Sequence, residues 1–231
     1  MNSKRLQSLV ARRSFLTRLG AGAGAVGMTL AYSPAADAQG STDAPWRPAR
    51  HALDDWYDKI PGAHRMVFDT TTPEGFGLAL QFAGNFYTAN QDAYGLKEND
   101  LAVVIVARHR ATEFAYNDSI WAKYGKQLSE HSEYTDPKTK LPPTVNIYAA
   151  TEGSEQAGRM AALVKKGAQF AVCSMSTQRI SARIAKANGL EVDAVVKEIV
   201  ANLVPNSRMV PAGIVALNRA QEHGYTFVHA I

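Results

Sequence analysis

Leu101-Ala102-Val103-Val104-Ile105-Val106-Ala107 is apolar without alternation. A half-buried strand alternates apolar and polar residues. A short run that is apolar on both faces reads as a central strand of a parallel sheet covered on both sides. Upstream, residues 64–69 read as a first strand. Ala79, Phe82, Ala83, Phe86 and Tyr87 then recur at helical spacing. Downstream, residues 114–124 read as a helix closed by Gly125. A polar stretch over 129–144, with Pro137, Pro142 and Pro143, reads as a long loop, and residues 144–148 read as a short strand. Residues 154–166 form a helical pattern ended by Gly167, and residues 168–173 a strand. Thr177 and Asp193 read as N-caps of two further helices. Residues 209–211 are extended, 214–223 helical, and 225–229 a last strand. This alternation predicts an α/β fold with a parallel sheet and helices on both faces.

The composition is that of an ordinary globular chain, 46% hydrophobic and 20% charged. The net charge of +4 comes from the N-terminus. Residues 1–38 hold Lys4, Arg5, Arg12, Arg13 and Arg18 against Asp37, and residues 39–231 carry 20 basic and 20 acidic side chains. A nucleic-acid partner is therefore not expected, because phosphate binding needs a basic footprint. A single cysteine excludes an internal disulfide, a Cys-rich zinc site and a CxxC redox motif.

Residues 1–38 read as an export signal. Basic residues come first, then an Ala/Gly-rich apolar run, then Ala36-Asp37-Ala38 with the small residues that a signal peptidase requires. Arg12-Arg13-Ser14-Phe15-Leu16 carries the core of the twin-arginine motif, with Arg12, Arg13, Phe15 and Leu16 as its defining positions. The apolar run is too short and interrupted to span a bilayer, which takes about 20 residues. Gly22-Ala23-Gly24-Ala25-Val26-Gly27 spells G-x-G-x-x-G, but no strand precedes it, so it is not read as a dinucleotide site. The expected organisation is a cleaved signal over 1–38, a flexible leader over 39–59 and one domain over 60–231. The expected location is the periplasm, reached through the twin-arginine export machinery.

Three stretches resemble a known family. Gly167-Ala168-Gln169-Phe170-Ala171-Val172-Cys173, with Ser174-Met175-Ser176-Thr177 directly after it, is similar to the strand-then-cysteine segment of the DsrE/DsrF-like family. Residues 210–225, from Val210-Pro211-Ala212-Gly213 to His223-Gly224-Tyr225, resemble its closing helix and strand. Arg108-His109, with Ala111, Thr112, Phe114, Asn117, Asp118 and Trp121, looks like a subgroup that carries twin-arginine signals. The resemblance implies a mostly parallel five-stranded sheet with helices on both faces, layered as in flavodoxin, and a homo-oligomer, either a trimer or a hexamer. It also implies sulfur carried as a persulfide at the position of Cys173, with a sulfur donor or acceptor protein as partner. The relay members of the family are cytoplasmic and assign no role to Arg108-His109.

From the residues themselves, Cys173 ends an apolar strand just before a helix. Ligands of open parallel sheets bind at the carboxyl ends of strands, and a helix N-terminus favours a thiolate. Such a thiolate attacks the terminal sulfur of a donor persulfide. The alternative is a buried, unreactive cysteine. His109 lies just past the carboxyl end of the 101–107 strand and is the expected catalytic partner of Cys173. Its alternative is an ordinary strand-end histidine. Arg108, Asn117 and Thr177 form the expected ligand-binding set. Arg108 suits a sulfonate, sulfate or carboxylate; otherwise it pairs with Glu113 or Asp118 on the surface. His131, His223 and His229 have no companions in the sequence that mark a site. Cys173, Met175, His109 and Met209 are soft ligands of a kind that suits copper, but they match no motif, and neither a metal nor a cofactor is assigned. The rival to a sulfur carrier is a non-catalytic oligomeric periplasmic protein that binds a small anion or a soft metal in the same crevice.

Overall fold

The computed structural model describes residues 47–150 and 158–231. The signal residues Arg12, Arg13, Phe15, Leu16, Ala36 and Ala38 lie outside them. Five parallel strands form one sheet: β1 (His64–Thr70), β2 (Leu101–Ala107), β3 (Gln169–Cys173), β4 (Ser207–Val210) and β5 (Thr226–Ala230). Their order is β4-β3-β2-β1-β5. The unbroken apolar run is β2, central in the sheet and buried at all seven positions.

Among the described residues, seven α-helices surround the sheet: α1 (Trp56–Lys59), α2 (Pro73–Tyr94), α3 (Asp118–Ser132), α4 (Arg159–Lys165), α5 (Ser174–Asn188), α6 (Val192–Val200) and α7 (Gly213–Glu222). The chain steps from β1 to β4 in one direction, then returns past all of them to β5. Parallel crossovers are right-handed, so a reversal of direction moves the connecting helix to the opposite face. Accordingly α2–α6 bury one face around Phe76, Phe114, Trp121, Tyr148 and Phe170. α7 covers the other, together with α1.

Strand alternation assigns the side chains to these faces. Phe68, Ile105 and Val172 point under α2–α6, and Val67, Val104, Val106 and Ala171 under α7. By the same parity Asp69, Arg108, Cys173 and His229 belong to the α7 face, at or just past the carboxyl ends of their strands.

Several expectations shift. The leader is not loose as far as residue 59: Trp56, Tyr57 and Ile60 are buried against the α7 face. The Tyr57 hydroxyl donates to the Ala216 carbonyl at 2.7 Å, and Arg208 lies 4.6 Å over the Trp56 ring. Aromatic burial and a specific bond anchor this segment, against the flexibility its charged neighbours suggested. The helix expected to close at Gly125 is kinked there, with non-helical dihedrals at Tyr124 (φ −125°, ψ 15°), and then resumes. A 3-10 segment (His109–Ala115) comes first, and α3 runs through Gly125, where a side chain would collide with the Pro143 carbonyl. Residues 144–148 form no strand. Asn146 is buried there and donates to the Phe114 and Tyr116 carbonyls at 2.8 and 2.7 Å, pinning a loop onto the 3-10 segment.

Candidate functional site

Cys173 is the last residue of β3 and the N-cap of α5, a 15-residue helix. Its sulfur accepts from the Ser176 backbone N–H at 3.5 Å. This replaces Thr177 as the cap, for a geometric reason: helical dihedrals begin at Ser174, four residues earlier than the pattern suggested. β3 leads into α5 on the aromatic face, while its neighbour β4 leads through Pro211-Ala212 into α7 on the other. Adjacent strands that send their chains to opposite faces open a crevice at their carboxyl ends. Cys173, paired in register with Val210 of β4, stands at that point. It is 5% exposed in the single chain.

His109 comes two residues after β2 with a backbone φ of 55°, the left-handed region that few residues other than glycine enter. Its N–H donates to the Ser176 hydroxyl at 3.1 Å, and its carbonyl accepts from the Thr112 hydroxyl at 2.9 Å. Ser176 therefore contacts both expected catalytic residues: its N–H points at the thiol and its hydroxyl holds the backbone of His109. The exposed imidazole of His109 has its Nδ1 3.4 Å from the Thr71 carbonyl.

Arg108 pairs with neither Glu113 nor Asp118. Its Nε and Nη2 donate to the two oxygens of Asp69 at 2.6 and 2.8 Å. The carboxylate holds the guanidinium pKa above its ordinary value, against the opposing effect of burial. Parallel register explains the pairing. Asp69 and Val106 are partners, which places Arg108 one residue beyond Ala107 on the same face as Asp69. The stem of Arg108 lies against Gly213, the first residue of α7, where a Cβ would sit 2.6 Å from Arg108 Cβ.

The other two expected ligand residues serve the fold. Thr177 is fully buried and its hydroxyl meets the Tyr116 hydroxyl at 2.9 Å. Asn117 caps α3, accepting from Ser119 N at 3.1 Å and Ile120 N at 3.4 Å. It lines a separate, largely apolar cavity with Asp118, Met160, Val164 and Val204. Met209 alternates with Val210 and packs on the aromatic face, away from the side of the sheet that carries Cys173. Among the described residues, no group of three or more His, Cys, Asp and Glu side chains is placed to hold a metal.

No family model and no curated protein matches the chain. Among solved structures it is similar to the protein of unknown function MTH1491 from Methanobacterium thermoautotrophicum, at 15% identity and a TM-score of 0.37, over 72% of this chain and 98% of that one.

The structure supplies the companions that the three remaining histidines lacked in the sequence. His131 Nδ1 meets Glu113 Oε1. His223 Nδ1 lies 2.9 Å from Asp58 Oδ1, and His229 Nδ1 2.9 Å from Asp69 Oδ2. Glu113 is wholly buried, and burial pushes its carboxyl pKa up although His131 opposes the shift. The Asp69–His229 pair is visible only through the sheet order. Both residues are polar ends of apolar strands, and they become register partners once β5 is laid beside β1.

Proposed function

We propose that this is an exported, homo-oligomeric protein of the DsrE-like type that handles sulfur compounds, carrying or transferring sulfur as a persulfide on Cys173. The observation that carries the reading is the place of Cys173: it N-caps α5 at the crevice where β3 and β4 part, with a backbone N–H on its sulfur. A thiolate there attacks the terminal sulfur of a donor persulfide. One S–S bond forms on Cys173, the donor's S–S bond breaks, the donor leaves as a thiolate that takes up a proton, and no net oxidation occurs. The low exposure of Cys173 suits an intermediate that has to outlast contact with oxidants.

That same burial favours a second reading, a binding protein in which Cys173 is only a packing residue and the crevice holds a small anion. One experiment separates the two. The full chain is expressed, isolated from the periplasm, incubated with sodium polysulfide and weighed intact. The expected species lacks residues 1–38 and has gained sulfur, and the Cys173→Ser variant gains none. A wild-type protein that takes up no sulfur leaves the binding reading. Periplasmic protein that keeps its first 38 residues removes the cleavage assignment, and absence of the protein from the periplasm removes the export assignment.

A further inference from the structure

Asp69 is 3% exposed, yet it joins two nitrogen groups at the carboxyl edge of the sheet. Arg108 grips both of its oxygens from β2, and His229 reaches Oδ2 from β5. A carboxylate only accepts, so neutral His229 facing it carries its proton on Nδ1. Its Nε2 lone pair is then free, on a ring whose side chain is 37% exposed. A carboxylate fixes such an imidazole in tautomer and direction, so its free nitrogen is presented as an electron-pair donor. Arg108 spends two of its five N–H donors on Asp69 and keeps the rest, with 27% of its side chain exposed. Its stem packs on Gly213, where α7, a ten-residue helix, begins without a side-chain cap because its N-cap residue is Ala212. Uncapped first-turn N–H groups beside a guanidinium favour an anion.

We propose that Asp69, Arg108 and His229 form an acid–base site for a small anionic substrate, in which Arg108 and the start of α7 hold the anion and His229 Nε2 takes and returns its proton. The proton leaves an acidic group of the substrate, makes His229 an imidazolium balanced by Asp69, and goes back to the product or to water. Three inter-strand intervals separate β3 from β5, about 14 Å. His229 is thus remote from the thiol, whereas Arg108, at the end of the strand next to β3, lies within electrostatic reach of Cys173; the proton transfer does not use the thiol and holds whether or not Cys173 carries sulfur.

The test needs no sulfur chemistry. The intact protein is treated with diethyl pyrocarbonate at alkaline pH, and carbethoxylation of each histidine is tracked by peptide mass. His229 is expected to react about tenfold faster than the exposed His51 and His64. Inorganic sulfate is expected to slow His229 alone, and Arg108→Gln to abolish that protection. Asp69→Asn is expected to bring His229 to the rate of His51. Because Asp69→Asn also frees Arg108, the wild-type protein supplies a second measurement: imidazole nitrogen shifts should show His229 as the Nδ1–H tautomer. Reaction of His229 at the rate of His51, the Nε2–H tautomer, or no protection by sulfate overturns the assignment.

Discussion

Two carboxylate–histidine pairs in this molecule share their chemistry and differ in solvent access. Glu113 and His131 meet beneath α3, the carboxyl wholly buried and the imidazole side chain 13% exposed. Asp69 and His229 meet at the carboxyl edge of the sheet, with a buried carboxylate and a ring more than a third exposed. Asp69 has a second, bidentate partner in Arg108. Glu113 has His131 on one oxygen, while Oε2 is buried with no hydrogen-bond partner among the described residues. The buried pair therefore constrains the fold: it ties the 3-10 segment, which also receives the Trp121 indole N–H on the Glu113 carbonyl at 3.1 Å, to the end of α3. The edge pair offers a lone pair to solvent. Burial, not residue type, separates a structural histidine from a reactive one.

Breaking the buried pair has the largest expected effect. His131→Ala leaves Glu113 enclosed without its partner, and loss of one member of a buried pair costs about 3–5 kcal/mol. The raised carboxyl pKa sets the sign with pH. The folded state holds the Glu113 proton more tightly than the unfolded chain does. Its contribution is complete below the unfolded value and declines as pH rises through the raised one. The His131→Ala penalty, measured by urea unfolding, should therefore be greatest near neutrality and shrink on acidification. A penalty independent of pH would mean that the lost stability is packing alone.

What was legible in the sequence divides along the same line. The unbroken apolar run of β2 exposed the layered fold, because only a central strand hides both of its faces. The positions of Cys173 and Arg108-His109 at strand ends were readable because they are local, each at the end of its own strand. The partners were hidden because they are remote: Asp69 and His229 are 160 residues apart, and His223 and Asp58 are 165 apart. Ser176 had no signal at all, since its role depends on a backbone N–H and a hydroxyl serving two different strands. Thr177 read as a helix cap and Asn117 as part of a polar stripe on a helix; the structure buries the Thr177 hydroxyl against Tyr116 and makes Asn117 the cap of α3.

A change at Gly213 sharpens the comparison from the edge side. An added Cβ gains helix propensity, about 1 kcal/mol. It also meets Arg108 Cβ at 2.6 Å and Cδ at 2.8 Å. A flexible stem would swing away, but this one is tethered at its far end by Asp69. Overpacking of this kind costs about 1–3 kcal/mol, so a small net destabilisation is expected for Gly213→Ala. In the Arg108→Ala background the same change should be neutral or stabilising. The cycle of the two substitutions reads the coupling directly. Equal effects in both backgrounds would show that Arg108 does not depend on the bare backbone of α7.

The smallest effect belongs to the third pair, which titrates with the opposite sign. Asp58 of α1 accepts from His223 at the end of α7, and Arg50 and Arg65 each approach it to 3.9 Å. The hydrogen bond from His223, chiefly, lowers its carboxyl pKa. A depressed carboxyl pKa contributes stability above the unfolded value and loses it as pH falls through the folded one. Asp58 is 57% exposed, so solvent screening limits the pair to about 1 kcal/mol or less. Asp58→Asn should cost that much at neutral pH and nothing below the depressed value, whereas the Glu113 contribution is complete in acid. Both penalties should thus shrink on acidification but in different windows, the His131→Ala penalty as pH falls through the raised carboxyl value and the Asp58→Asn cost only as it falls through the depressed one. Salt distinguishes them again: about 1 M sodium chloride shortens the screening length to about 3 Å. It should erase the Asp58→Asn difference and leave the His131→Ala penalty in place, because no counterion reaches the enclosed carboxyl of Glu113.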